Sequence, residues 1–179
     1  AVGLRLVVML GVVSLLSDIT YEGARSVSGP FLASLGAGAV VVAAFAGFGE
    51  LIGYGLRLVS GYLTERSGRP WLVMLLGYSV NLLAVPALAL AGAWPVAVAL
   101  LMAERLGKGI RSPARDALLA HATTSMGRGW GYGLHEAMDQ VGAVIGPLVV
   151  AAVLARTGSF RVGFAVLLVP ALLALSMLL

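Results

Sequence analysis

Apolar stretches long enough to cross a bilayer follow one another along the whole of this 179-residue sequence, separated by links of only a few residues. A hydrocarbon core about 30 Å thick is crossed by about 20 residues of helix at 1.5 Å per residue. Lipid offers no water to backbone N–H and C=O groups, so such stretches satisfy themselves as helices. About six spans use up the chain and leave no room for a soluble domain. The expectation is an all-α, polytopic membrane protein: one six-helix transmembrane bundle over residues 1–179. The composition agrees, with 60% hydrophobic and 11% charged residues.

The links place the spans. Span 1 is expected at about 4–34, ending near Pro30 and Gly36-Ala37-Gly38, and span 2 runs from there to about Leu63. The charged link Thr64 to Pro70 leads to span 3, about 71–91, with Pro70 suited to a first helical turn. Ala91-Gly92-Ala93-Trp94-Pro95 turns the chain into span 4, which reaches about Ala120. A polar link, Thr123-Thr124-Ser125-Met126-Gly127-Arg128, precedes span 5 at about 130–155, and Arg156 to Ser159 leads to span 6 at about 160–179. The run Leu6–Leu16 after Arg5 has the look of a signal peptide, but the sequence stays hydrophobic through Phe31-Leu32 and is read as a retained first span. Arg5, Arg66, Arg69, Arg115 and Arg128 gather on one side, against Arg156 and Arg161 on the other, which predicts cytoplasmic termini in a plasma (inner) membrane. No cysteine is present, so disulfides and thiolate metal sites are excluded.

Charge inside the spans is the functional clue. Each ionised side chain at mid-bilayer costs about 2.5–3.5 kcal/mol on insertion scales, so these groups must be paired or hydrated. Glu104, Lys108, Arg111 and Arg115 form a helical stripe in span 4; Asp18, Glu22 and Arg25 share a face of span 1, and Glu50, Tyr54 and Arg57 a face of span 2. Span 5 carries Gly131, His135, Asp139, Gly142 and Gly146 in one stripe, with Glu136 and Gln140 beside it. Glu104 with Lys108, and Glu22 with Arg25, stand at pairing distances along their helices. Arg115, Asp116 and Arg128 are expected as surface anchors. Spans 3 and 6 lack such charges within their hydrophobic runs, beyond Arg161 near one end of span 6, and are expected to face lipid. The order polar, polar, apolar then repeats, as spans 1-2-3 (about 1–91) and 4-5-6 (about 92–179).

Three short motifs sharpen this. Gly61-Tyr62-Leu63-Thr64-Glu65-Arg66-Ser67-Gly68-Arg69 resembles the loop motif G-x-L-x-D-R-x-G-R of the major facilitator superfamily, with Glu65 in place of Asp and Pro70 in place of a following basic residue. Arg105-Leu106-Gly107-Lys108-Gly109 resembles the family's R-x-x-x-G core in span 4, and Gly142 to Pro147 its G-x-x-x-G-P antiporter motif in span 5. The resemblance covers the whole chain and implies the N-terminal six-helix half of such a transporter, a 3+3 inverted repeat. It further implies that Gly61, Glu65, Arg66, Gly68 and Arg69 form a gate latch, Glu65 pairing with arginines of neighbouring spans. Gly142, Gly146 and Pro147 would pack a kinked span 5 against a second half.

The functional expectation is secondary active transport of a small polar or charged solute by alternating access, coupled to protons, with antiport favoured. Asp18, Glu22, Arg25, Arg105, Lys108 and Arg111 are the candidates for cavity lining, and Glu50, Arg57, His135, Glu136 and Asp139 for coupling or gating. A facilitator has two six-helix halves, so a homodimer or a second half is expected as partner, besides lipid, protons and solute. The net charge of +4 does not point to nucleic acid, because several arginines lie within apolar runs. No cofactor, resident metal or enzymatic activity is expected. The alternatives are a structural or regulatory membrane subunit and a channel.

Overall fold

A computed structural model describes residues 2–124 and 127–179. Ser125 and Met126 of the polar link lie outside the described residues. The helices are α1 (Val2–Ser34), α2 (Ala39–Ser67), α3 (Pro70–Ala87), α4 (Trp94–Ala122), α5 (Arg128–Thr157), α6 (Phe160–Val166) and α7 (Leu168–Leu178), with a 3₁₀ turn at Leu88–Leu90. Among the described residues there is no strand. α6 and α7 together form the sixth rod. Five rods are long and apolar enough to cross a membrane by length and composition. α4 matches them at 29 residues but carries the charged stripe. This is an integral membrane protein.

Prolines and glycines punctuate the rods for physical reasons. Gly68 and Gly158 close α2 and α5 at φ 63° and 64°, the left-handed region where a side chain is strained. Pro170 cannot donate a hydrogen bond to Val166, and the last rod breaks there into α6 and α7. Pro113 likewise leaves the Gly109 carbonyl without its helical donor, yet α4 continues unbroken. The Ser60 hydroxyl of α2 donates to that carbonyl at 2.8 Å, so the proline's vacancy becomes an α2–α4 tie.

Two apolar cores sit at opposite ends of the bundle. One gathers Val7 and Leu10 of α1, Met74 of α3, Leu119 of α4 and Leu178 of α7. The other gathers Phe31 and Leu32 of α1, Val85 of α3, Ala97 of α4 and Phe164 of α6. Successive rods therefore run antiparallel, and residues near both ends of the chain meet at one end of the molecule.

Small residues set the closest crossings. A Cβ at Gly146 of α5 would come 2.5 Å from the Ile19 carbonyl and 2.9 Å from Gly23 N, so α5 lies directly on α1. A Cβ at Gly77 of α3 would come 2.6 Å from Arg111 N, so α3 lies directly on α4. This corrects the expectation that spans 3 and 6 simply face lipid. α3 turns Leu72, Leu76 and Leu83 outward, but buries Tyr78 and Asn81 against α4. α7 likewise exposes Leu172 and Leu173 and buries Ala171 and Ala174. α3 and α7 thus keep one outward apolar side each, and α2, with Phe48, Leu51, Leu58 and Val59, and α5, with Val144 and Leu148, present bare apolar faces as well.

Candidate functional site

A cleft of about 430 Å³ opens between α1, α2 and α4. Its position follows from the helix registers: Lys108 is the central residue of α4, and Glu50, Tyr54 and Arg57 bracket the middle of α2. The charged walls therefore stand at mid-length of the spans. Glu50 is the hub, with Arg25 of α1 and Arg105 of α4 each 3.0 Å from the same Oε1. The Arg105 guanidinium also stacks 4.6 Å from the Phe45 ring centroid. Gly49 makes room for it, since a Cβ there would lie 2.8 Å from Arg105 Cδ. Lys108 Nζ sits 3.6 Å from the Tyr21 centroid, and the Arg57 guanidinium 5.0 Å from that of Tyr54.

Glu104 does not pair with Lys108, contrary to the helical spacing. Asn81 of α3 donates its amide to Glu104 Oε1 at 2.9 Å and to the Glu104 carbonyl at 3.0 Å, holding that carboxylate toward α3. Glu22 and Arg25 do approach, at a long 3.9 Å, because Glu50 competes for the same guanidinium.

Behind the cleft lies a second, buried polar cluster. Arg111, 1% exposed, is 4.0 Å from Asp18, 4% exposed. Its guanidinium stacks 4.3 Å from the Tyr78 centroid and 5.8 Å from that of Tyr21. Tyr21 thus has Lys108 on the cleft side and Arg111 on the buried side. Farther along, the Ser14 hydroxyl donates to Asp139 and accepts from Arg115 Nη1 at 3.2 Å, joining α1, α4 and α5. Arg115 is only 17% exposed. It is not the freely exposed anchor the sequence suggested: Nη1 reaches inward to Ser14, while Nε and Nη2 hold the exposed Asp116 at 3.1 and 3.0 Å.

The predicted cavity residues therefore divide. Arg25, Arg105 and Lys108 wall the cleft, Asp18 and Arg111 form the buried pair behind it, and Glu22 stands beside Arg25. Of the predicted coupling residues, Glu50 and Arg57 belong to the cleft. His135 is buried rather than solvated, with Nε2 lacking a protein partner, and Asp139 faces Ser14. Glu136 instead points outward and accepts a hydrogen bond from Gln140, so His135 and Glu136 do not converge. Sequence reasoning missed Ser14, Tyr21, Tyr78 and Asn81. Tyr78 and Asn81, spaced three apart in an otherwise apolar span, were the available signal.

The motif residues also depart in part from expectation. Gly68 and Pro70 make the tight reversal, but Glu65 is exposed and has no ion-pair partner among the described residues. Its acid extends away from this bundle, so the expected latch to neighbouring arginines is not made within it. Arg66 donates to Tyr62 one turn back, and Arg69 is exposed. Gly61 meets Pro113 only at ordinary contact distance. Gly142 and Gly146 pack against α1 of the same bundle rather than reserving themselves for a second half, because the α1 backbone occupies their faces. Pro147 lies within an unbroken α5.

Comparison with known proteins decides what this arrangement belongs to. The family model of the Major Facilitator Superfamily matches residues 8–179. The chain belongs to the major facilitator superfamily. Uncharacterised proteins of Mycobacterium tuberculosis and Mycobacterium bovis are each 53% identical over 176 residues, covering 98% of this chain and 43% of theirs. An uncharacterised MFS-type transporter of Methanocaldococcus jannaschii is 30% identical over 140 residues, 78% of this chain and 35% of its own. The chain thus spans less than half the length of the curated relatives it matches.

Proposed function

We propose that this chain moves a small polar or charged solute across a plasma membrane by alternating access, in exchange for protons, together with a second six-helix half. The observation that carries the reading is the charged cleft at mid-span, which no lipid-facing or purely structural helix packing requires. Its open side adjoins the bare face of α2, where another bundle would complete it. More than half of each mycobacterial relative lies outside the match, length enough for such a bundle, and a second copy of this chain is the other candidate.

Two further readings belong to the proposal. The triplets α1–α3 and α4–α7 act as inverted repeats; in support, α1 pairs with α5 as α4 pairs with α2, and α3 with α4 as α7 with α1. The termini face the cytoplasm, with the arginine-bearing loop at Arg66 and Arg69. Asp18 and Asp139 are the proton carriers. Both are acids on packed inner faces, and Asp18 abuts Gly142, one turn beyond Asp139.

Proteoliposomes test this. Saturable solute flux that follows an imposed pH gradient and falls at least tenfold in Asp18→Asn is the expected result. Flux indifferent to the gradient removes the proton coupling. Unsaturating ionic current identifies a channel, and absence of flux under every gradient identifies a structural subunit.

A further inference from the structure

Six charged side chains wall the cleft: Arg25, Arg57, Arg105 and Lys108 are cationic, Glu50 and Glu104 anionic. Glu50 is paired with Arg25 and Arg105, whereas Glu104 is hydrogen-bonded by the neutral Asn81 amide and keeps its charge, so four cations of the lining face two carboxylates. Among the described residues, no carboxylate lies within 4.0 Å of the Lys108 ammonium or the Arg57 guanidinium. Each rests on a tyrosine face instead. A ring quadrupole attracts a cation, but it carries no net charge to neutralise one. Two cations are therefore left over at mid-span.

The cleft is also graded along its length. Following α2, its lining runs Val42, Phe45 and Ala46, then Glu50, then Tyr54 and Arg57. On α4 the apolar Leu101 stands at the first end and Lys108 toward the second. The first end is the more apolar, with Val42 and Leu101 beside a Phe45 ring that the Arg105 guanidinium covers on one side, and the other end suits an acidic group, in a volume within the usual range for small-molecule sites.

Building on the transport reading above, we infer that the cleft takes a small organic anion. Its acidic group sits against Lys108 and Arg57, and its apolar body lies along Val42, Phe45 and Leu101. An inorganic anion would meet the cations and leave the apolar end unfilled. A cationic solute would meet an excess of like charge, four cations against two carboxylates in the lining.

The test is thermal unfolding of the purified full-length protein in detergent with benzoate, phenyl phosphate, benzylammonium, benzyl alcohol or inorganic phosphate. Ligands that bind the folded state alone raise Tm with concentration. Benzoate or phenyl phosphate should raise it, and more than inorganic phosphate does at equal concentration; benzylammonium and benzyl alcohol should not. Lys108→Gln and Arg57→Gln should each weaken the apparent affinity for the organic anion by roughly tenfold or more. Lys108→Arg should restore much of it, and Arg156→Gln, on the exposed end of α5, should leave it unchanged. The inference is overturned if benzylammonium stabilises as well as benzoate, if neither organic anion shifts Tm, or if both Gln variants keep the full shift. Its failure is separable from that of the transport reading. Lys108-dependent binding without flux keeps the site and removes transport, whereas flux of a cation that ignores Lys108 keeps transport and removes the anion.

Discussion

At the scale of single residues, several buried polar groups of this bundle meet across helices. Arg111 and Asp18 show this most clearly, being almost wholly buried on different rods. Removing one member of a buried pair strands the other charge, so Arg111→Met should lower stability by about 3 kcal/mol, while the double replacement with Asp18→Leu should recover part of the loss. Chemical or thermal unfolding in detergent measures both, and a single variant as stable as its parent would contradict the pairing. Ser60→Ala removes the hydroxyl that serves the carbonyl orphaned by Pro113, at a cost of about 1 kcal/mol. Pro113→Ala in the same background restores a backbone donor to Gly109 and should make the serine dispensable. If the two substitutions are additive, Ser60 is not filling that vacancy.

At the scale of helices, the spans were legible because their length and polarity are written locally. Span 1, expected at 4–34, is α1 at Val2–Ser34, and the turns at Gly68, Pro70 and Gly158 fall where turn chemistry requires them. What a charged face meets was not legible, because helical spacing orders residues along one rod and is silent about the next. Thus Glu104 turned to Asn81 instead of Lys108, and Arg115 turned inward to Ser14. The same gap applies to glycine: Gly142 and Gly146 announced a close contact without naming α1 as the partner. That contact is testable by comparing glycines of one helix. Gly146→Val should force α1 and α5 apart and cost about 1–3 kcal/mol, whereas Gly133→Ala, where a Cβ would meet nothing within 4 Å, should be neutral or stabilising by up to about 1 kcal/mol. Equal effects at the two positions would rule out Gly146 as the spacer.

At the scale of the whole molecule, the proposed transport requires a hydrated mid-span cleft. Two features make it so in physical terms: a density of charge that lipid cannot solvate, and an opening bounded by the bare face of α2 where a second bundle would stand. These 179 residues contain no cysteine, so a thiol introduced among them is the only one in this bundle and allows a direct measurement. Thiols react with maleimides as thiolates, which form in water and not in hydrocarbon. Single variants Ser28→Cys and Ala46→Cys in the cleft should therefore be labelled in intact membranes by a charged maleimide. Leu76→Cys and Leu172→Cys, on outward apolar faces of α3 and α7, should stay unlabelled. Cleft cysteines that remain inert while the outward ones react would contradict the hydrated cleft, and with it the proposed transport.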